Sequence, residues 1–299
     1  MSWRHLIVTT KAKMSIRLNQ LVVKQEEEVT IPLEDIASIV VEENQVVLTA
    51  ALLSKCSEYG IGLYTCDEKH LPNGVLLPFQ SHSRQLRVLE TQYNLSKPFK
   101  KRVWQKIIKT KIMNQALCLS YLDKTGESEL LAIRNTVDSG DSTNREAYAA
   151  KVYFQHLFGK RFIRREDHII NHSLNYGYSI LRGNVARVLV QYGFFPCLGI
   201  DHHNENNAFN LADDFMEVFR PLVDLFVVIH FHEEMEFTPK WRAGLYNVVN
   251  HQVELEGERY SCNRAIEEMI KSYVTACRTN MYERLSTPTL LPLKIHSYE

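Results

Sequence analysis

RQLRVLETQYNLSKPFKKRVWQKIIKTKIMNQALCL, residues 84–119, is where the chain changes its grammar. Trp104, Ile107, Ile108 and the stretch from 111 to 119 set apolar residues three to four apart, which keeps one helical face apolar, and Pro98 stands where a helix can begin. Upstream, the period is two. Residues 3–48 are rich in β-branched side chains, with Ile16, Leu18, Leu21, Val22, Val23, Ile36, Ile39, Val40, Val41, Val46, Val47 and Leu48 reading as short strands between polar turns. A short helix over 50–59 ended by Gly60, a strand over 61–65 and a turn at Pro72-Asn73-Gly74 complete this part. Downstream, helices are expected over 143–158, 171–192, 210–219 and 263–279. Strands first and helices afterwards predict an α+β chain and not an alternating βαβ sheet. The expected organisation is a small N-terminal β-sandwich-like domain with its linker over residues 1–83, then a larger all-α catalytic domain with a C-terminal tail over 84–299.

With 299 residues, 45% hydrophobic and 23% charged, the chain has material for about two globular domains. Lys plus Arg and Asp plus Glu both number 35, so no partner is implied by bulk charge, and a purely charge-driven tail binder is excluded. The distribution says more. Residues 84–111 hold 9 basic groups against the single Glu90, whereas residues 201–299 hold 9 against 16 acidic ones. This asymmetry points to an anionic ligand in one place and to cations in another. No apolar run approaches the roughly 18 residues of a membrane helix, and the start MSWRHLIVTTKAK has no apolar signal core, so a cytoplasmic protein away from membranes is expected. Six scattered cysteines without a C-x-x-C pair suggest neither a zinc ribbon nor a disulfide framework.

Several residue groups can carry chemistry. Glu146 follows Thr143 at the spacing of a capping box, so it either closes a helix start or is a carboxylate held rigidly enough to bind a metal. GIDHHN, residues 199–204, reads as a loop whose two histidines are either solvated or ligating. Asp213, Asp214 and Glu217 share a helical face downstream of it, where like charges repel unless a cation lies between them. A Glu, a loop His and an Asp/Glu pair form a mixed oxygen and nitrogen donor set suited to Mg²⁺ or Mn²⁺, the alternative being an ordinary solvated acidic face. His230, His232 and Glu234 would share one side of a strand and could bind zinc, although no fourth ligand is signalled. The basic segment, Arg84, Arg87, Lys97, Lys100, Lys101, Arg102, Lys106, Lys109 and Lys111, is interleaved with Phe99 and Trp104 and suits a nucleic-acid backbone; Lys160, Arg161, Arg164 and Arg165 could add a second patch.

IPLEDI at 31–36, NREAYAAKVYF at 144–154 and LNYGYSILRGNVARVLVQYGFFPCLGIDHHNENNAFNLADDFMEVFRPLVD at 174–224 resemble, in this order, the CRISPR-associated endonuclease family that integrates spacers. The match runs over nearly the whole chain and is nearest to the branch that accompanies a single large RNA-guided nuclease. The resemblance implies catalytic metal ligands Glu146, His202 and Glu217, with Asp214 as a further or supporting acid, and it selects His202 over His203. Val218 stands where the family often has Pro, and Asp201 where it is commonly apolar. The implied activity is a metal-dependent DNA endonuclease and integrase using Mg²⁺ or Mn²⁺. It would insert spacer DNA into a CRISPR array by attack of a 3′-hydroxyl on a phosphodiester, within antiviral defence. The implied partners are double-stranded DNA, both the incoming fragment and the repeat, a second copy of the chain as a homodimer, and the small companion protein Cas two, with other adaptation proteins and an RNA-guided nuclease beyond them. Two other readings are carried forward: a catalytically silent scaffold binding DNA and the companion, and a zinc hydrolase centred on His230 and His232.

Overall fold

The computed structural model describes residues 4–78, 82–232 and 235–297. The chain divides into two units, Met1–Ser83 and Arg84–Glu299.

In the first unit, β1 (Arg4–Val8), β5 (Ile36–Val41), β7 (Gly62–Cys66) and β8 (Pro72–Leu76) form one sheet in that order, while β4 (Glu28–Pro32), β3 (Gln20–Lys24), β2 (Lys13–Arg17) and β6 (Val47–Leu48) form a second. β5 lies between parallel β1 and β7, and all six residues of its run IASIVV are buried, as a strand covered on both faces requires. The two sheets and helix α1 (Ala50–Tyr59) share one core, to which Met14, Leu21, Ile36, Ile39, Leu52, Cys56 and Leu63 contribute. Thr49 caps α1 and Gly60 ends it in the left-handed region at φ 66°, so the expected helix is met at both ends.

Two local expectations are corrected. Leu18 is not a strand residue: Leu18 and Asn19, both at positive φ, form the two-residue turn joining β2 to β3, and Leu18 is exposed. Pro72-Asn73-Gly74 is not a turn but the start of edge strand β8, where a missing N–H is tolerated. The reversal occurs earlier, where an oxygen of Asp67 accepts from the backbone N–H groups of Lys69 and Leu71, both at 2.9 Å.

The second unit is mainly helical: α2 (Gln85–Tyr93), α3 (Lys97–Tyr121), α4 (Glu127–Asn135), α5 (Arg145–Phe158), α6 (Ile169–Gln191), α7 (Asn210–Met216), α8 (Arg220–His230), α9 (Pro239–Tyr246) and α10 (Cys262–Thr279). α3 packs on α4, α5 and α8, and α6 on α7, α8, α9 and α10. The expectation of an all-α unit is corrected by a three-stranded antiparallel sheet of β10 (Glu258–Ser261), β9 (His251–Leu255) and β11 (Thr289–Ile295), in that order. Glu256 and Gly257, both at positive φ, make the tight turn between β9 and β10. The C-terminal segment thus docks as a strand on β9, and it also packs against α3. Asn114 of α3 donates to the carbonyls of Val218 and Pro288 at 2.8 and 3.1 Å and accepts from the N–H of Leu290 at 3.0 Å.

Between α7 and α8, residues Glu217–Phe219 tighten into a 3₁₀ turn. Pro221, second in α8, explains the break, because its ring crowds the carbonyl four residues back, that of Glu217, and offers it no N–H. Among the described residues, no helix is long and apolar enough to cross a membrane.

Candidate functional site

Asp141 sets the start of α5. Its two carboxylate oxygens accept from the N–H groups of Arg145 at 2.8 Å and Glu146 at 2.9 Å, and Asn144 enters the helix at φ 53°. The capping-box reading of Thr143 and Glu146 is therefore replaced: Asp141 supplies the cap, and the Glu146 side chain is free to face α3. There Glu146 Oε1 meets Lys111 Nζ at 2.5 Å.

Lys111 sits among Ile107, Ile108 and Ile112 on the buried face of α3 and is itself only 6% exposed. It leaves the solvent-facing basic segment to which its position in the run had assigned it. The same Nζ also pairs with Glu217 Oε2, while Arg220 pairs with Glu217 Oε1 at 2.9 Å. Burial would push the Glu217 carboxyl up, but the charges of Arg220 and Lys111 outweigh it and hold the carboxyl below its ordinary range. Arg220 lies over the ring of Tyr178 at 4.6 Å, and the hydroxyls of Tyr178 and Tyr153 both donate to buried Asp224. Burial pushes the Asp224 carboxyl up to about 6.

His202 is oriented from below by Asp214. This fully buried carboxylate accepts from the backbone N–H groups of Ile200 at 2.5 Å and His202 at 3.1 Å, and it bonds His202 Nδ1 at 2.8 Å. With its proton on Nδ1, the ring presents Nε2 as an acceptor. That bond raises the pKa of His202, and burial raises that of Asp214. The loop can pass this close only at a glycine, since a Cβ on Gly199 would stand 2.1 Å from the His202 carbonyl oxygen. Trp104 meets the imidazole edge-on at 5.6 Å. His203 is exposed and bonds the carbonyl of Asp201.

The acidic face, for which ordinary solvation was the alternative to metal binding, is buried and individually paired. Arg182 holds Asp213 through two contacts of 2.6 Å, His202 holds Asp214, and Lys111 with Arg220 holds Glu217, so each acid of that face has a partner of its own. Glu146 and Glu217 thus meet at one ammonium, and His202 is near enough for its charge to act on Glu217. As they stand, no three His, Cys, Asp or Glu side chains among the described residues surround a common point as metal ligands. The donors nevertheless fit a hard divalent cation in kind. Two carboxylates converge on a cation, the imidazole is braced by a carboxylate through its other nitrogen, and buried Glu217 Oε2 makes no hydrogen bond of good geometry. Lys111 and Arg220 were missed as site residues; the signal for Lys111 was a cation at a position the helical period assigns to the apolar face.

Of the remaining basic segment, Arg84, Arg87, Lys97, Lys101 and Arg102 are exposed, while Lys100, Lys106 and Lys109 are partly buried. Lys106 donates to the carbonyl of Glu283 at 3.2 Å, and burial lowers its pKa. Lys100 lines a cavity of about 330 Å³ with Tyr93, Gly199, His202, His203 and Asn210. In the second patch Lys160, Arg161 and Arg165 are exposed, but Arg164 bonds Asn171 and Asn175. The zinc reading loses its strand: His230 is the last residue of α8, its ring nitrogen bonds the carbonyl of Phe226 at 2.9 Å, and Glu233 and Glu234 lie outside the described residues.

A β-rich unit followed by a helical one, with two glutamates and a braced histidine gathered around α3, defines an α+β protein whose candidate site sets carboxylates and an imidazole beside buried cations. The family model of CRISPR associated protein Cas1 matches residues 6–240, and the chain belongs to the Cas1 family. It is 42% identical to a CRISPR-associated endonuclease Cas1 of Neisseria meningitidis serogroup C (strain 8013) over 100% of both chains. A second relative of that description, from Francisella tularensis subsp. novicida (strain U112), is 27% identical, with 77% of this chain and 80% of the relative covered. The fold is similar to that of a casposase bound to integration product, with TM-score 0.78 and 19% identity over 93% of this chain and 91% of that one. It is also similar to a Cas1 protein from Thermotoga maritima, with TM-score 0.72 and 17% identity over 92% and 97%.

Proposed function

We propose that this chain is a metal-dependent DNA endonuclease and integrase of CRISPR adaptation that inserts spacer DNA by attack of a 3′-hydroxyl on a phosphodiester. The observation that carries the reading is the meeting of Glu146 and Glu217 at Lys111 Nζ, beside a histidine braced by Asp214, in a chain of the Cas1 family. Glu146, Glu217 and Nε2 of His202 are the groups that would hold Mg²⁺ or Mn²⁺. Such an ion, when bound, polarises the scissile phosphodiester and offsets the charge growing at phosphorus, whether the attacking oxygen belongs to a DNA end or to water.

The chain's own residues prepare this chemistry. Asp214 keeps the His202 proton on Nδ1, so the outward nitrogen stays a lone-pair donor. Arg220, stacked on Tyr178, fixes one oxygen of Glu217 and leaves the other toward Lys111. The exposed cations from Arg84 to Arg102 suit a phosphate backbone and carry no base-edge code, which matches fragments of arbitrary sequence. Double-stranded DNA, a second copy of the chain and Cas2 are the proposed partners. The similar folds of a casposase bound to integration product and of a Cas6-RT-Cas1–Cas2 complex, at TM-scores 0.78 and 0.73, support DNA and Cas2.

A second reading, a catalytically silent scaffold for DNA and Cas2, draws on Lys111 and Arg220 together already neutralising both glutamates. Joining of a duplex fragment to a repeat-bearing plasmid, in Mn²⁺ with purified Cas2, separates the two. Glu146→Ala and His202→Ala are expected to abolish joining while DNA binding persists; joining at the native rate in both variants would establish the scaffold.

A further inference from the structure

Two glutamates and two cations make up the cluster at α3. Lys111 Nζ touches Glu146 and Glu217, Arg220 holds the second oxygen of Glu217, and the formal charges cancel before any metal ion joins. The neutrality is built into the fold. Lys111 rises from a helix face whose neighbours Ile107, Ile108 and Ile112 are 0% exposed, and Glu217 is 3% exposed, so removing either sign alone would leave a buried charge uncompensated. The two cations differ in freedom. Arg220 is fixed by the Tyr178 ring at 4.6 Å, whereas Lys111 is a point charge on a four-carbon stem, and Glu217 Oε2 beside it makes no hydrogen bond of good geometry.

We propose that Lys111 is an internal counter-ion holding the place of the divalent cation between Glu146 and Glu217, and that it makes metal binding depend on bound DNA. The inference rests on the reading of those glutamates as metal ligands. A divalent ion alone would bring two positive charges into a neutral buried cluster and would meet the ammonium at the same oxygens, where repulsion in a low dielectric is strong. A DNA phosphodiester supplies one of the two missing negative charges and gives the displaced ammonium a new partner. Lys111 thereby acts as a positioning residue: it keeps two carboxylates together until ion and phosphate arrive. Linkage then requires that the metal tighten DNA by the same factor by which DNA tightens the metal.

Mn²⁺ uptake by the full chain, read by electron paramagnetic resonance of the free ion, tests this with and without a duplex whose ends lack the 3′-hydroxyl. The double variant Glu146→Gln, Glu217→Gln with the same duplex gives the background from ions on the DNA itself. Wild-type protein is expected to bind Mn²⁺ at least about tenfold more tightly with the duplex present. Lys111→Met, which removes the charge and keeps the stem, is expected to tighten DNA-free binding by about tenfold and to shrink the effect of DNA. Lys111→Arg retains the charge and is expected to retain the dependence on DNA. Equal wild-type affinity with and without DNA overturns the proposal and needs no variant to fold; so does a folded Lys111→Met protein with wild-type affinities. Uptake by the double variant equal to that of wild type would instead remove the metal-ligand reading beneath it.

Discussion

Asp214 is the residue on which His202 depends. It has no exposure and accepts from Ile200 N–H, His202 N–H and His202 Nδ1. Asp214→Asn would turn an amide donor toward those donors. It is expected to destabilise the chain by about 2–3 kcal/mol in urea unfolding and to lower strand joining about 10- to 100-fold. Native values for both would contradict the bracing role. Asp224 gives a pH signature. Burial raises its folded pKa from 3.8 to about 6, so the folded chain holds that proton more tightly than the unfolded one. Its contribution to stability is therefore complete below about pH 4 and is lost as pH rises through about 6, an amount of about 3 kcal/mol. Unfolding of wild type and Asp224→Asn at pH 4 and pH 7 reads this directly, and a difference unchanged between the two pH values would refute it. At this scale the sequence was legible where a residue stands out from its surroundings and opaque where it blends in. His202 beside His203, and Glu217 beside Asp213 and Asp214, were separated only by the family resemblance. Lys111 was hidden in a run of cations, and its burial becomes visible only when the helical period is followed through the charge.

Elements were legible where local chemistry decides them. Gly60 ends α1, and Pro98 marks the opening of α3, where the structure adds Ser96 as the cap. They stayed ambiguous where a local signal had two meanings. Thr143 and Glu146 have capping-box spacing, yet the cap is Asp141, because the chain reaches α5 through Asp141 and Asn144 at positive φ. Asp141→Ala is accordingly expected to cost about 1–2 kcal/mol of stability, and Thr143→Ala close to nothing, in thermal or urea unfolding; the reverse order would restore the capping box. The sheet of the second unit was missed although Glu256-Gly257 between Val253, Leu255 and Tyr260 carries a hairpin signal. Its third strand, β11, had no such signal, since its pairing with β9 is set by long-range packing on α3.

For the molecule as a whole, the zero net charge conceals a basic segment at 84–111 and an acidic last third. The structure divides the nine cations of that segment into Lys111, buried with the glutamates, and eight others on or near the surface. Replacing Lys100, Lys101 and Arg102 with Ala is expected to weaken DNA binding equally for unrelated sequences and to reduce the log–log salt slope by up to about 3. Weakening confined to one sequence would exclude backbone contact. Composition and motif order made the α+β class and the family legible, but the meeting of Glu146 and Glu217 at one lysine is a property of the folded chain, because it depends on how α3, α5 and the 3₁₀ turn pack. The central claim is that this cluster joins a DNA 3′-hydroxyl to a phosphodiester. Labelled DNA fragments ending in a 3′-hydroxyl or in 2′,3′-dideoxyribose, offered with Cas2 and Mn²⁺ to a repeat-bearing plasmid, test it most directly. Wild type is expected to join only the hydroxyl-ended fragment and Glu217→Gln neither; joining of the dideoxy-ended fragment, or undiminished joining by Glu217→Gln, would contradict the account.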